Sequence, residues 1–333
     1  MGSRRPGLTT GPRSGDASLL MATPACAAGR DNLPRRRLRC GRYVGGPLGG
    51  DCMRAVLPVF ALLAACGGGE DLVTLNFVAQ VGGETAACGV DLAAGTGTDA
   101  VQLADARFLL SDLEARNTDG EWEAIELDVT DWQNSSTALL DFEDGSGACA
   151  DSGTSDLNTQ ITGLIAAGEY DTLRFTVGVP FADNHLDSAT APAPLNAPGM
   201  FWAWQSGYKF VRVDFAVQSE TPSRWNVHVG STGCISDGST QAPTEECGKP
   251  NRSTVTVEDI ALDGGTVNID LGALVSGLDL AANTAETPPG CMSSPGEPAD
   301  CGPAFGSLGL SFESGACVDD CDGQRLFSAG AAE

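Results

Sequence analysis

The chain contains only two histidines, His185 and His228, and both fall between Val177 and Cys234 with three of its five tryptophans, Trp202, Trp204 and Trp225. A lone histidine is ordinarily a hydrogen-bonded structural residue, but confinement of both to one segment points to a shared site. Neutral imidazole is a common metal ligand and suits copper in either oxidation state. Trp202 and Trp204 are two residues apart, so on a strand they would face the same side. Met200 carries a thioether that suits Cu(I), although packing is its more ordinary role. Trp204 reads as packing beside a site rather than as a ligand, and Trp225 as core. Cys234 lies six residues after His228, and its thiolate would bind Cu(I), but in an oxidising compartment a disulfide is the expected state.

The elements that must position these residues read as strands. LVTLNFVAQV, QLADARFLLSDLEA, TLRFTVGVP, YKFVRVDFAV, RWNVHVG, STVTVEDIAL and TVNIDLGAL are short, rich in Val, Leu, Phe and Thr, and separated by Gly, Asp, Asn and Pro clusters. Apolar and polar residues alternate in part along them, as in half-buried antiparallel strands. His185 lies in a Pro-rich loop leaving one strand, and His228 lies inside or at the end of another. The single helix candidate is SDLNTQITGLIAAG, residues 155–168, with Ser155 or Asp156 as cap and Gly168 as terminator. The expected fold is all-β: an antiparallel β-sandwich with long disulfide-stapled loops and at most one or two short helices. One domain, residues 66–333, suffices, and its Cys-rich tail from about residue 284 reads as an appendage with little core of its own.

Charge divides the chain. Ten of the 19 Lys and Arg residues lie at or before Arg54, against three of the 44 acidic residues. Residues 1–52 show no helical or strand period and read as an upstream extension or disordered leader. Residues 53–65 read as a signal peptide, because the apolar run AVLPVFALLAA is too short to span a bilayer. Its end, LAAC, resembles a lipobox, which makes Cys66 the lipidated first residue of a mature, exported chain on the periplasmic or cell-surface side of a bacterial membrane. From Cys66 onward there are 41 acidic and nine basic residues. Such a surface excludes nucleic acid, which needs Lys and Arg to displace counterions, and favours cations. Beyond Cys66 come eight cysteines: Cys88, Cys149, Cys234, Cys247, Cys291, Cys301, Cys317 and Cys321. Their even number implies disulfides whose pairing the sequence leaves open. No CxxC pair, HExxH helix, nucleophile elbow or phosphate loop is present, and the chain is not expected to be an enzyme.

VGVP, NHLD, APLN, MFWAWQSGYKF and HVGSTGC, in this order, resemble the MbnP family, also called the metallo-mystery pair four-Cys motif proteins. FLLSDLE and LLDFEDGSGAC fit as well, and the resemblance covers about residues 72–320. It implies a periplasmic copper-binding protein paired with a di-haem protein of the cytochrome c peroxidase and MauG type. That partner would oxidise the first Trp of WxW to kynurenine; here this is Trp202, with His185 and His228 as imidazole ligands. Indole is a poor ligand, whereas kynurenine offers an aryl amine and a ketone. The chain has no CxxCH haem attachment motif, so the oxidant must be another protein. Its eight cysteines exceed the four of the family's name. The alternative is an acidic β-sandwich lipoprotein acting as a non-metal interaction module, with both histidines structural.

Overall fold

A computed structural model describes residues 69–331 apart from 152, 204, 220–222, 295 and 297. The expectations for residues 1–52, for the signal peptide, for Cys66 and for Trp204 therefore lie outside the described residues.

The strands run in chain order as β1 (Glu70–Val81), β2 (Glu84–Thr85), β3 (Asp91–Leu92), β4 (Val101–Asn117), β5 (Trp122–Ala124), β6 (Glu126–Leu127), β7 (Thr137–Asp141) and β8 (Gln160–Ala166). They continue as β9 (Tyr170–Val177), β10 (Phe201–Ala203), β11 (Gly207–Val217), β12 (Ser223–Gly230), β13 (Ser253–Glu258), β14 (Asp263–Asp270), β15 (Gly290–Cys291) and β16 (Phe327–Ala329). Two α-helices accompany them among the described residues, α1 (Phe181–Asn184) and α2 (Pro298–Ser307).

Two sheets result. The smaller runs β16–β14–β1–β8–β6 with β2 beside β1, and the larger runs β13–β9–β4–β11–β12–β15 with β3, β5 and β7 on β4 and β10 on β11. The chain is thus all-β, as its strand pattern implies. Most neighbours are antiparallel, but β1 pairs with β14 and β12 with β15 in parallel. Alternation along β1 buries Val73, Leu75, Phe77, Ala79 and Val81 on one face. Between the sheets, Phe77 of β1 meets Phe175 of β9 edge-on at 6.3 Å, and Phe327 of β16 meets Phe175 at 5.2 Å and Phe108 of β4 at 5.9 Å. These T-shaped contacts, favoured by the ring quadrupoles, join the two layers.

The 155–168 segment is not a helix. Residues 160–166 form β8, antiparallel to β1, with Ile161, Gly163 and Ile165 turned inward. A period of two in a stretch with β-branched Ile and Thr and a central Gly wins over the helical caps, because β1 needs a neighbour on that side. Gln133 locks the strand by accepting from Thr162 N at 2.9 Å and donating to Thr162 O at 2.8 Å.

The Cys-rich tail is also more than an appendage. It adds β15 to the large sheet and β16 to the small one, and it buries Phe305, Leu308, Leu310, Leu326 and Phe327 in the common core. Four disulfides join Cys88 to Cys149, Cys234 to Cys247, Cys291 to Cys301 and Cys317 to Cys321.

Candidate metal centre

β12 carries His228. Trp225, Val227 and Val229 point into the core, so the alternate residues Asn226, His228 and Gly230 share the outer face of the large sheet. On β11 the neighbours of His228 on that face are Arg212, directly opposite, and Asp214. His228 Nε2 lies 2.7 Å from Asp214 Oδ1. Burial opposes ionisation of Asp214, but the hydrogen bond and charge of His228 and the guanidinium of Arg212 outweigh it and hold the carboxyl below its usual range. An ionised carboxylate can only accept, so Nε2 donates, and in the neutral ring that carries this proton Nδ1 holds the lone pair. That is the arrangement in which a carboxylate orients a metal-binding imidazole. The backbone carbonyl of His228 is itself fixed by Ser293 Oγ at 2.8 Å.

Asp214 is one end of a chain of buried ions. Arg212 Nε donates to Asp214 Oδ2 at 3.2 Å and lies 3.1 Å from Asp105 Oδ2, while Arg107 Nε donates to the other oxygen of Asp105 at 2.8 Å. Burial raises the Asp105 pKa above the usual carboxylate value in spite of both guanidinium groups. At the far end, burial pushes Asp141 up to about 7. The loop before β10 closes over these cations: Gly199 O accepts from Lys209 Nζ at 2.8 Å and from Arg212 Nη1 at 3.1 Å. Burial first, then Arg212 beside it, pushes the Lys209 ammonium down to about 8.

Trp202 lies on β10, which pairs with β11 through Phe201 opposite Tyr208 and Ala203 opposite Gly207. Its ring covers Gly230: a Cβ there would stand 2.8 Å from Trp202 Cζ3 and 2.4 Å from Tyr208 O. The Lys209 ammonium is 5.8 Å from the ring centroid. Met200 is 1% exposed and belongs to the core. Trp225 is core too, as its sequence context implies.

His185 follows α1 and is 7% exposed. Its ring packs edge-on against Phe181 at 5.2 Å, and its Nε2 lies 3.4 Å from Asn184 Nδ2 and 3.7 Å from Cys247 Sγ. Asn184 ties this turn to the strands that carry the other residues. Its Oδ1 accepts from Tyr208 N at 3.0 Å and its Nδ2 reaches Ser231 Oγ at 3.4 Å. Gly207, at φ +73°, lets the β10–β11 turn approach Asn184, because any Cβ would meet Asn184 O at 2.3 Å.

His228, Trp202 and the His185 turn are therefore all held around one end of the β11–β12 pair. His185 is in contact with Phe181, Asn184 and Cys247, and His228 with Asp214. Asp214, Arg212, Asp105, Arg107 and Gly230 were not singled out by the sequence reading. The signal for them was present as DAR in β4 and RVD in β11, charged residues two apart within otherwise apolar strands, which must face the same side and can pair there.

None of the curated proteins matches the chain in sequence. A family model described as MbnP matches residues 70–293. Among solved structures the chain is similar to MbnP from Methylosinus trichosporium, at 29% identity and a TM-score of 0.66 over 80% of this chain and 100% of that one. With the family's model spanning His185, Trp202 and His228 and two thirds of the chain, the chain belongs to the MbnP family.

Proposed function

We propose that this chain is an extracytoplasmic copper-binding protein, anchored to a bacterial membrane through lipidated Cys66, in which His185, His228 and Trp202 as kynurenine hold the ion. Family membership supports a methanobactin-associated, copper-related role. Four disulfides suit an oxidising compartment. Among the described residues no helix is long and apolar enough to cross a membrane, and the anchor rests on the lipobox-like LAAC.

The observation that carries the copper reading is the His228–Asp214 pair beside Trp202. A carboxylate fixes one ring nitrogen and leaves the other for a metal, and the Trp202 ring covers Gly230, two residues along β12 from His228 on the same face of the sheet. His185 adds a second imidazole, and conversion of Trp202 to kynurenine would turn an inert ring into a donor. The donor set suits copper, which when bound would supply a soft, redox-active cation. A di-haem protein of the cytochrome c peroxidase and MauG type is the proposed oxidant of Trp202. The chain is a binding protein on this reading, serving copper homeostasis rather than catalysing a reaction.

Mass spectrometry of the native protein, produced with its di-haem partner, is expected to find kynurenine at Trp202 and stoichiometric copper in the same sample. Trp202→Phe is expected to abolish tight copper binding while circular dichroism stays nearly unchanged. Stoichiometric copper retained by that variant would overturn the kynurenine role. Native protein with intact Trp202 and no copper would favour the interaction module and leave both histidines structural.

A further inference from the structure

The loop from β12 to β13 closes on a short antiparallel base. Thr232 N donates to Lys249 O and Lys249 N to Thr232 O, each at 2.9 Å, and Gly248 N donates to Gly233 O at 3.1 Å. Asn251 Nδ2 adds a bond to Gly230 O at 2.7 Å. Cys234 and Cys247 stand immediately beyond this base and are joined as a disulfide. Cys247 is buried and Cys234 half-buried. Cys247 Sγ is 3.7 Å from His185 Nε2, and the two sulfurs and an imidazole nitrogen of His185 all lie within 4.8 Å of one another. A small cavity of about 30 Å³, bordered by Phe181, Asn184, Ser231 and Cys247, adjoins the group. It has room for about one water.

We infer that this disulfide masks a second metal site: once it is reduced, Cys234, Cys247 and His185 form a two-thiolate, one-imidazole site for a soft monovalent cation such as Cu(I). Two thiolates and an imidazole are the ligand types such a cation selects. The backbone bonds of the loop base do not depend on the disulfide, so opening it leaves both sulfurs beside His185 instead of scattering them. The reductant is a dithiol. Its thiolate attacks Sγ of Cys234, the less buried of the two residues; the S–S bond breaks and Cys247 leaves as a thiolate with the electron pair. The second thiol of the reductant, as thiolate, then displaces Cys234 from the mixed disulfide. The protein disulfide has gained two electrons and the reductant has become a disulfide. Cu(I) then binds without changing oxidation state, and any thiol protons pass to solvent. This site shares His185 with the copper reading above but needs neither Trp202 nor His228.

The test titrates the chain with Cu(I) under anaerobic conditions, oxidised and after treatment with a dithiol, against a chromophoric Cu(I) chelator. The readout is thiolate-to-Cu(I) charge-transfer absorption in the ultraviolet. Alkylation and peptide mapping identify which cysteines opened. Reduction is expected to create a thiolate-bound Cu(I) that persists in Trp202→Phe and disappears in the Cys234→Ser, Cys247→Ser double variant. His185→Asn is expected to weaken it by at least about 10-fold. The proposal is overturned if the reduced chain gains no such absorption, if the double variant keeps it, or if Cys234 and Cys247 resist alkylation while the fold persists. Failure of the copper reading appears separately, as absent binding by the oxidised, partner-matured chain.

Discussion

At the level of single residues, His228 is held by chemistry that a histidine alone could not supply. Asp214 sits beneath it as an ionised acceptor, held charged in a buried setting by His228 itself and by Arg212, which also pairs with Asp105. Burying so many ions is costly unless every one is paired, and here each cation faces a carboxylate or the Gly199 carbonyl. The network therefore fixes the orientation and tautomer of one ring. Asp214→Asn retains the shape and can still accept from Nε2, but the acceptor becomes neutral and Arg212 loses a charge partner. Copper affinity is expected to fall about 10- to 100-fold, as for other partners of metal-binding histidines. A chelator-competition titration checks this, and an unchanged affinity would remove Asp214 from the site.

Among the elements, the β10–β11 hairpin and the end of β12 matter most, since they bring Trp202 onto the sheet face that displays His228. Gly230 is the contact point: its missing side chain lets the Trp202 ring lie on the strand, with Tyr208 O on the other flank. Gly230→Ala would force a methyl group against both. Overpacking of this kind costs about 1–3 kcal/mol, and the ring is the softer of the two neighbours. Thermal unfolding is therefore expected to shift down modestly while copper binding suffers far more. A variant with full copper affinity would show that Trp202 need not lie where it does. Strand β8 carries a different lesson. Its helix-compatible ends proved weaker than the demand of β1 for a hydrogen-bonded neighbour, which no local signal in residues 155–168 reveals.

For the whole molecule, the four disulfides act at different ranges. Cys88–Cys149 spans 61 residues, whereas Cys317–Cys321 spans four. Chain-entropy arguments assign about 4 kcal/mol to a loop of the first size and about 2 kcal/mol to the second. Replacing Cys88 and Cys149 together by Ala is expected to lower the denaturation midpoint more than the same change at Cys317 and Cys321. Equal losses would mean that the native tail packing, not loop closure, sets the contribution. The tail does pack: Phe327 touches both Phe108 and Phe175, so the two sheets and the C-terminal segment share one core.

Composition, period-two alternation and the clustering of both histidines with WAW were enough to specify an all-β fold, and with the order of the longer motifs they pointed to the MbnP family and to His185, Trp202 and His228. Those features are local: alternation along a strand and the residue types in a motif need no knowledge of what lies opposite. What lies opposite was decided only by tertiary structure. Strand pairing set the β11–β12 register that puts Asp214 under His228, the parallel pairing of β1 with β14, and the place of the tail in the core. Disulfide choice was equally non-local for Cys88 and Cys149, which meet across 61 residues. The nearness of His185 to the Cys234–Cys247 pair was not legible either. It depends on the α1 turn docking on the β12–β13 loop base, and segments that far apart in sequence carry no mark of their contact.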